Sequence, residues 1–205
     1  MSVNRPSPDE QLNTGEATEA RQAASLILLR DSGAGPEVLL VKRNPEQRFM
    51  GGAWVFPGGA LQAGDADHAA AAVRELEEEA GVRLSGRAAM VPFSRWITPA
   101  QVKTRFDTWF FAAEAQSGVE VKCDGSECVD ARWMRPADAL AAHGRDELEL
   151  VFPTIKHLEQ LAEFGSVAEA LDSARARTVE PVEPKVVVRE REAEVLLPGE
   201  PGYDE

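Results

Sequence analysis

Apolar positions along the chain gather into short runs, each bounded by turn residues. Residues 25–30 (SLILLR) and 37–42 (EVLLVK) are apolar and β-rich. The cluster DSGAGP between them predicts a hairpin. Residues 54–56 read as a third strand, stopped by Pro57, Gly58 and Gly59. From 67 to 80 the pattern becomes helical. Asp67 can cap the start, the alanines at 69–72 favour the helix, and Gly81 ends it. Residues 88–97 and 104–113 are strand-like, the second rich in aromatics (FDTWFFAA). Residues 119–121 and 128–134 read as a strand pair around the turn DGSE. Residues 137–142, 154–163 and 167–176 read as helices, and 185–189 and 193–197 as late strands. Strands interleaved with one early helix and several late ones predict a mixed α/β fold, not a repeated βαβ unit. No internal repeat of 20–50 residues is visible.

This pattern divides the chain. Residues 1–22 are polar and read as a flexible N-terminal arm. Residues 23–177 form the body with its C-terminal helices. Residues 178–205 form a Pro- and acid-rich tail, with too little apolar material for its own core. It is expected to pack on the body or on a second subunit. A length of 205 residues with 43% hydrophobic content fits one domain with appendages.

Charge narrows the function. Lys plus Arg is 22 against 35 Asp plus Glu, a net charge of −13. That excludes a general binder of nucleic-acid backbones, which wants a basic face. It leaves open a small phosphate ligand held through a metal. No run approaches about 18 apolar residues, so no membrane span is expected. Residues 1–22 lack an apolar signal region, which points to a cytoplasmic protein. Cys123 and Cys128 flank a turn and read as two reduced thiols or a local disulfide. A zinc site needs more ligands, and the three His are distant in sequence.

The strongest chemical signal is Arg74-Glu75-Leu76-Glu77-Glu78-Glu79-Ala80-Gly81-Val82. On a helix, Glu75, Glu78 and Glu79 stand at i, i+3 and i+4, on one face, while Glu77 points elsewhere. Like charges at i, i+4 oppose the helix, and the last turn disfavours anions. A divalent cation would reverse the sign of these terms, and oxygen ligands suit Mg²⁺ or Mn²⁺. Arg74 reaches Glu78 at i+4 and could hold it. Acidic helix faces are commonly just solvated. Here, however, a Gly-Gly loop after a strand leads directly into the helix, an arrangement that suits phosphate and metal binding.

From Gly59 to Val82 the chain resembles the signature of the Nudix hydrolases. In that signature Gly, five residues, Glu and seven residues precede Arg-Glu-apolar-x-Glu-Glu-x-Gly-apolar. Arg74, Glu75, Leu76, Glu78, Glu79, Gly81 and Val82 match its second half in full. The first half departs: counting from Gly59 places Asp65 where Glu is expected, with one inserted residue before Arg74. Asp67 is a rival for that place. The resemblance covers about residues 23–143 and implies an α/β/α sandwich with a mixed sheet. It implies hydrolysis of a nucleoside diphosphate linked to another group, with Mg²⁺ or Mn²⁺ held by Glu75, Glu78, Glu79 and the Gly58 carbonyl. Glu75 could serve as ligand or base, and Glu127 is a second candidate base. Family members are often dimers, and the tail could serve as an exchange arm.

A second segment narrows the substrate. Leu39-Leu40-Val41-Lys42-Arg43, Asn44, Arg48, Gly52 and Phe56-Pro57-Gly58-Gly59 keep the spacing of an extra motif of the coenzyme A diphosphatases within that family. Val41 and Asn44 differ from it. The wider sequence looks like the peroxisomal-type branch. Coenzyme A carries a diphosphate and a 3′-phosphate, and Arg43 and Arg48 suit such anions. Arg95 and Arg105 could extend a positive rim. Gly59 would sit at the phosphates, and Phe49, Met50 and Trp54 could touch an adenine or the pantetheine arm, though core packing is the more ordinary role for Trp54. Three functions follow: a hydrolase of coenzyme A or its acyl esters, a hydrolase of ADP-ribose or NADH, or a Nudix-like sensor without catalysis.

Overall fold

A computed structural model describes residue 13 and residues 15–47, 49–84, 90–189 and 192–204. Its centre is a mixed sheet of β1 (Arg21–Ser32), β2 (Gly35–Arg43), β3 (Trp54–Val55), β4 (Gly58–Ala60), β5 (Val91–Ile97), β6 (Phe106–Glu114), β7 (Cys128–Met134) and β8 (Pro181–Val182). The main path runs β3-β2-β1-β6-β5-β8, with β4 paired to β1 and β7 to β2. β1 is antiparallel to β2 and parallel to β6.

Residues 26–29 and 38–41 are buried without interruption because both faces of the sheet are covered. Leu26, Leu28, Leu39 and Val41 pack beneath α1 (His68–Ala80), against Ala72 and Leu76. Ile27, Leu29, Val38 and Leu40 face the opposite way. There they meet α2 (Pro136–Gly144), α3 (Phe152–Leu161) and α4 (Val167–Arg175) through residues such as Ala139, Leu158 and Leu171. The layers are the expected α/β/α sandwich. α1 begins as predicted: Asp67 accepts a hydrogen bond from the Ala70 N–H at 2.8 Å. It ends at Gly81, whose φ of 67° is a left-handed cap.

Some expectations change. Residues 119–121 form no strand; the Val119 N–H donates to Gln116 O in a turn. β5 starts at Val91, and the expected start at residue 88 lies outside the described residues. Both thiols are free, Cys128 being buried. The expected arm is partly fixed: Arg21 and Gln22 belong to β1, and Thr18 exchanges hydrogen bonds with Lys103 and Arg105.

The tail adds β8 to the sheet edge beside β5, then forms a separate hairpin of β9 (Lys185–Arg189) and β10 (Glu192–Leu196). Arg105 pairs with Glu183 at 2.6 Å, and the Gln101 side chain accepts from the Val186 N–H at 3.3 Å. Val186 and Val195 join the core on the α3 side of the sheet. No helix among the described residues is long and apolar enough to cross a membrane.

Candidate active site

The Gly-Gly loop and α1 are locked together by close approach. A Cβ at Gly58 would sit 2.7 Å from Ala24 O, and one at Gly59 would run into the Glu75 carboxylate. The Gly58 N–H donates to Glu79 Oε2 at 3.0 Å. Gly58 thus lets β4 lie tightly against β1, and Gly59 lets it lie against the acidic face of the helix.

The carboxylates are not equivalent. Glu79 is only 2% exposed and Glu75 7%, whereas Glu78 is exposed. Burial pushes Glu79 up to about 7, against the lowering effect of the Gly58 N–H. Burial also raises Glu75, opposed by Arg74. Glu79 Oε1 is buried with no hydrogen-bond partner of ordinary geometry, and the Cys128 thiol, a weak donor, is its neighbour. Burial, with Glu79 next, raises the Cys128 thiol in turn.

Arg74 organises the outer side of this cluster. Its Nη1 donates to Glu75 at 2.7 Å and to Glu78 at 2.9 Å. Nε and Nη2 grip Asp65 at 3.0 and 2.8 Å, and Nη2 also reaches Ala60 O. Asp65 and Asp67 therefore have different roles: Asp65 is the partner of Arg74, and Asp67 is the helix cap. With Arg74 bridging two of the acids, no group of three or more His, Cys, Asp or Glu among the described residues is arranged to hold a metal ion as it stands. The shared helix face and the Arg74–Glu78 contact follow from sequence spacing; the grip of Arg74 on Glu75, Asp65 and Ala60 O does not.

The donor set nevertheless fits a divalent cation. It offers a buried orphan oxygen on Glu79, two desolvated carboxylates, and a backbone cradle that a side chain at Gly59 would fill.

A cavity of about 540 Å³ opens beside this cluster. Arg43, Gly58, Gly59, Glu75, Glu78 and Glu127 line one end. Arg43 Nε donates to Phe49 O at 3.3 Å, fixing the loop that carries Phe49. The Phe49 ring lies 5.5 Å from that of Phe106, also on the cavity wall. Glu127 is held from behind. Asp124 accepts from the N–H groups of Ser126, Glu127 and Cys128 at 3.1, 2.9 and 2.8 Å. Burial raises the Asp124 carboxyl, but the Ser126 hydroxyl, which also donates to it, and these N–H groups outweigh that and hold the group near 2. Asn44 adds two bonds, its N–H to Glu127 O and its side chain to Ser126 O.

Sequence reasoning overlooked this Asp124–Asn44 clamp, although Asp-Gly-Ser is a familiar Asx-turn signal. It also overlooked Arg21 and Phe152 on the cavity wall. Two expected rim cations are engaged elsewhere: Arg95 holds Asp107 through two bonds, and Arg105 holds Glu183, Thr98 O and Thr18 O. Trp54 is core, 3% exposed. Arg48 lies outside the described residues.

Carboxylates of one helix, behind a glycine loop, thus stand at one end of a ligand-sized cavity. The comparisons supply the family. The NUDIX domain profile matches residues 19–154, more than half of the chain, and the chain belongs to the Nudix hydrolase family. It is similar to nudix hydrolase 7 of Caenorhabditis elegans, 27% identical over 188 residues. That match takes in 73% of this chain and 63% of the relative, so the chain spans less than two thirds of that protein's length. A crystallised NUDIX hydrolase from Alicyclobacillus acidocaldarius is 26% identical with a TM-score of 0.67, covering 80% of this chain and 98% of its own. The NUDIX domain of Shewanella oneidensis NrtR, solved with ADP-ribose, shares the fold at 20% identity and a TM-score of 0.58. It covers 71% of this chain and 88% of its own.

Proposed function

We propose that this protein hydrolyses the diphosphate of a nucleoside diphosphate derivative, using Mg²⁺ or Mn²⁺. Its substrate in this reading is coenzyme A or an acyl ester, cleaved to 3′,5′-ADP and a 4′-phosphopantetheine product. The observation that supports it is the meeting of the acid cluster, Arg43 and Glu127 at one end of a single cavity. The coenzyme A assignment rests on the spacing of Arg43, Arg48, Gly52 and Phe56–Gly59.

Glu75, Glu78 and Glu79, with the Gly58 carbonyl, would hold the ion. Such an ion neutralises phosphate oxygens and lowers the pKa of bound water. Arg74 sets the rotamers of Glu75 and Glu78 through the contacts described above. Arg43 binds phosphate oxygens, and Gly59 leaves room for them to approach the backbone. Glu127, on its clamped turn, accepts the proton of the attacking water. Phe49 packs on the adenine.

A second reading is an ADP-ribose- or NADH-type substrate. It is favoured by the engagement of Arg95 and Arg105, which removes two cations from the pool for a 3′-phosphate.

A panel of coenzyme A, dephospho-coenzyme A, ADP-ribose and NADH with Mg²⁺ or Mn²⁺, products resolved by mass, separates these readings. Coenzyme A should be cleaved fastest, and Arg48→Ala should raise its KM more than that of dephospho-coenzyme A. Preference for ADP-ribose with no such difference would select the second reading. No turnover of any dinucleotide would favour a sensor.

A further inference from the structure

The C-terminal hairpin lies beyond residue 154, where the family profile ends. It nevertheless reaches the cavity: Pro184, Val186 and Val195 line the same space as Gly59 and Glu75. Ile97 and Phe152 line it as well. The wall of this one cavity therefore combines the ionic groups of the glycine loop and α1 with the aliphatic side chains of the hairpin.

The aliphatic end constrains its occupant. A nucleobase buried there would need partners for its ring nitrogens and exocyclic groups. Val186, Val195, Pro184 and Ile97 offer no side-chain donor or acceptor. An alkyl chain needs none and gains from burial. The size also suits a two-part ligand, because cavities of about 300–1,000 Å³ are typical for small-molecule sites. The wall is a fixed part of the fold. β8 pairs with β5, Arg105 holds Glu183, Gln101 holds Val186, and the Tyr203 hydroxyl donates to Glu183 O at 2.6 Å.

We propose that the β9–β10 hairpin walls a binding compartment for an aliphatic chain carried on the group attached to the diphosphate. Val186 and Val195 are then its selectivity residues. This rests on the reading of the cavity as the diphosphate site, and makes the tail, not the family core, the source of chain preference.

The test is calorimetric binding to the full-length protein without divalent ion, so that no turnover intervenes. The probes are ADP-ribose, coenzyme A and octanoyl-coenzyme A. Wild type should bind octanoyl-coenzyme A about tenfold or more tighter than coenzyme A. Val186→Thr and Val195→Thr keep the side-chain shape and add a hydroxyl to the wall. Each should remove most of that preference while leaving ADP-ribose affinity within about twofold. Thermal melting checks the fold, and Val186→Ala serves if a Thr variant fails to fold. Equal wild-type affinity for both coenzyme A forms would overturn the proposal, as would a preference that survives in the variants. In those cases ADP-ribose or coenzyme A still binds, so the diphosphate site stands. Failure of all three ligands to bind, both without ion and with Ca²⁺ in its place, would overturn both readings together.

Discussion

The two ends of the cavity differ in almost every physical respect. The glycine-loop end is ionic and depends on backbone approach, with its acids on one helix and Arg43 and Glu127 brought in from β2 and the turn before β7. The hairpin end is assembled from chain segments far apart in sequence, and its Pro184, Val186 and Val195 lie outside the family match. The first end carries chemistry that tolerates little change, because Gly58, Gly59 and Glu79 have no spare space. The second is packed from interchangeable apolar side chains. Reaction type and ligand choice are in this account written into separate parts of the chain, and changes at one end should leave the other intact.

The largest effect should come from Glu79→Gln. Loss of a carboxylate from the cluster is expected to lower kcat by about 10²–10⁴-fold. The fold should survive, since a neutral amide relieves the burial that pushes this carboxyl up to about 7. Circular dichroism and steady-state kinetics check both halves. A stable variant with wild-type kcat would remove the ionic end from the chemistry.

Arg74→Ala comes next and is expected to affect rate and stability together. It strips Asp65, Glu75 and Glu78 of their shared donor, at a cost of about 1–3 kcal/mol in denaturant unfolding. Turnover should fall without a large change in KM, because Arg74 positions acids and does not touch the ligand.

A third test concerns the aromatic cluster around His157, of which Phe56, Trp96 and Phe110 also line the cavity. His157 is 2% exposed and sits among Phe56, Phe93, Trp96 and Phe110. Its Nε2 meets the Ser94 hydroxyl at 2.6 Å, while Nδ1 has no partner. Burial, aided by the Arg177 charge, holds its pKa down at about 3. An unfolded chain protonates this ring below about pH 6.5, and the folded protein resists. Stability contributed by the neutral ring is thus present above pH 6.5 and lost as pH falls toward 3. The loss should approach about 1.4 kcal/mol per pH unit in that window. His157→Phe should flatten this slope relative to wild type in denaturant melts at pH 7, 6 and 5. Parallel slopes would contradict the neutral buried ring.

The smallest effect is expected at the strap of the hairpin. Glu183→Gln weakens a partly exposed ion pair with Arg105, worth about 0.2–1 kcal/mol. Its signature should be confined to ligands with aliphatic chains, with ADP-ribose kinetics unchanged.

Legibility in the sequence followed the same division. Glu75, Glu78 and Glu79 were readable because a helix turns sequence spacing into a shared face. Both helix caps, Asp67 and Gly81, were readable because each acts within three or four residues. The runs at 25–30 and 37–42 foretold a hairpin of two strands; that both their faces are covered emerged only with the fold. Arg74 was readable only in part: its contact with Glu78 follows from spacing, but its grip on Asp65 depends on the path of the loop. Trp54 and Arg105 gave no local clue to whether they pack or bind. Trp54 is settled by burial, and Arg105 by Thr18 and Glu183, each more than 70 residues away. The hairpin wall was invisible for the same reason, since Val186 and Phe152 meet only through the tertiary fold.

The central claim is that the acid cluster on α1 holds the divalent ion on which diphosphate cleavage depends. Titration of Mn²⁺ into wild type and Glu79→Gln, with free ion followed by electron paramagnetic resonance, tests it without reference to turnover. A Mn²⁺ site in the wild type that weakens by about tenfold or more in the variant is the predicted result. Equal Mn²⁺ affinity in the two proteins would contradict it.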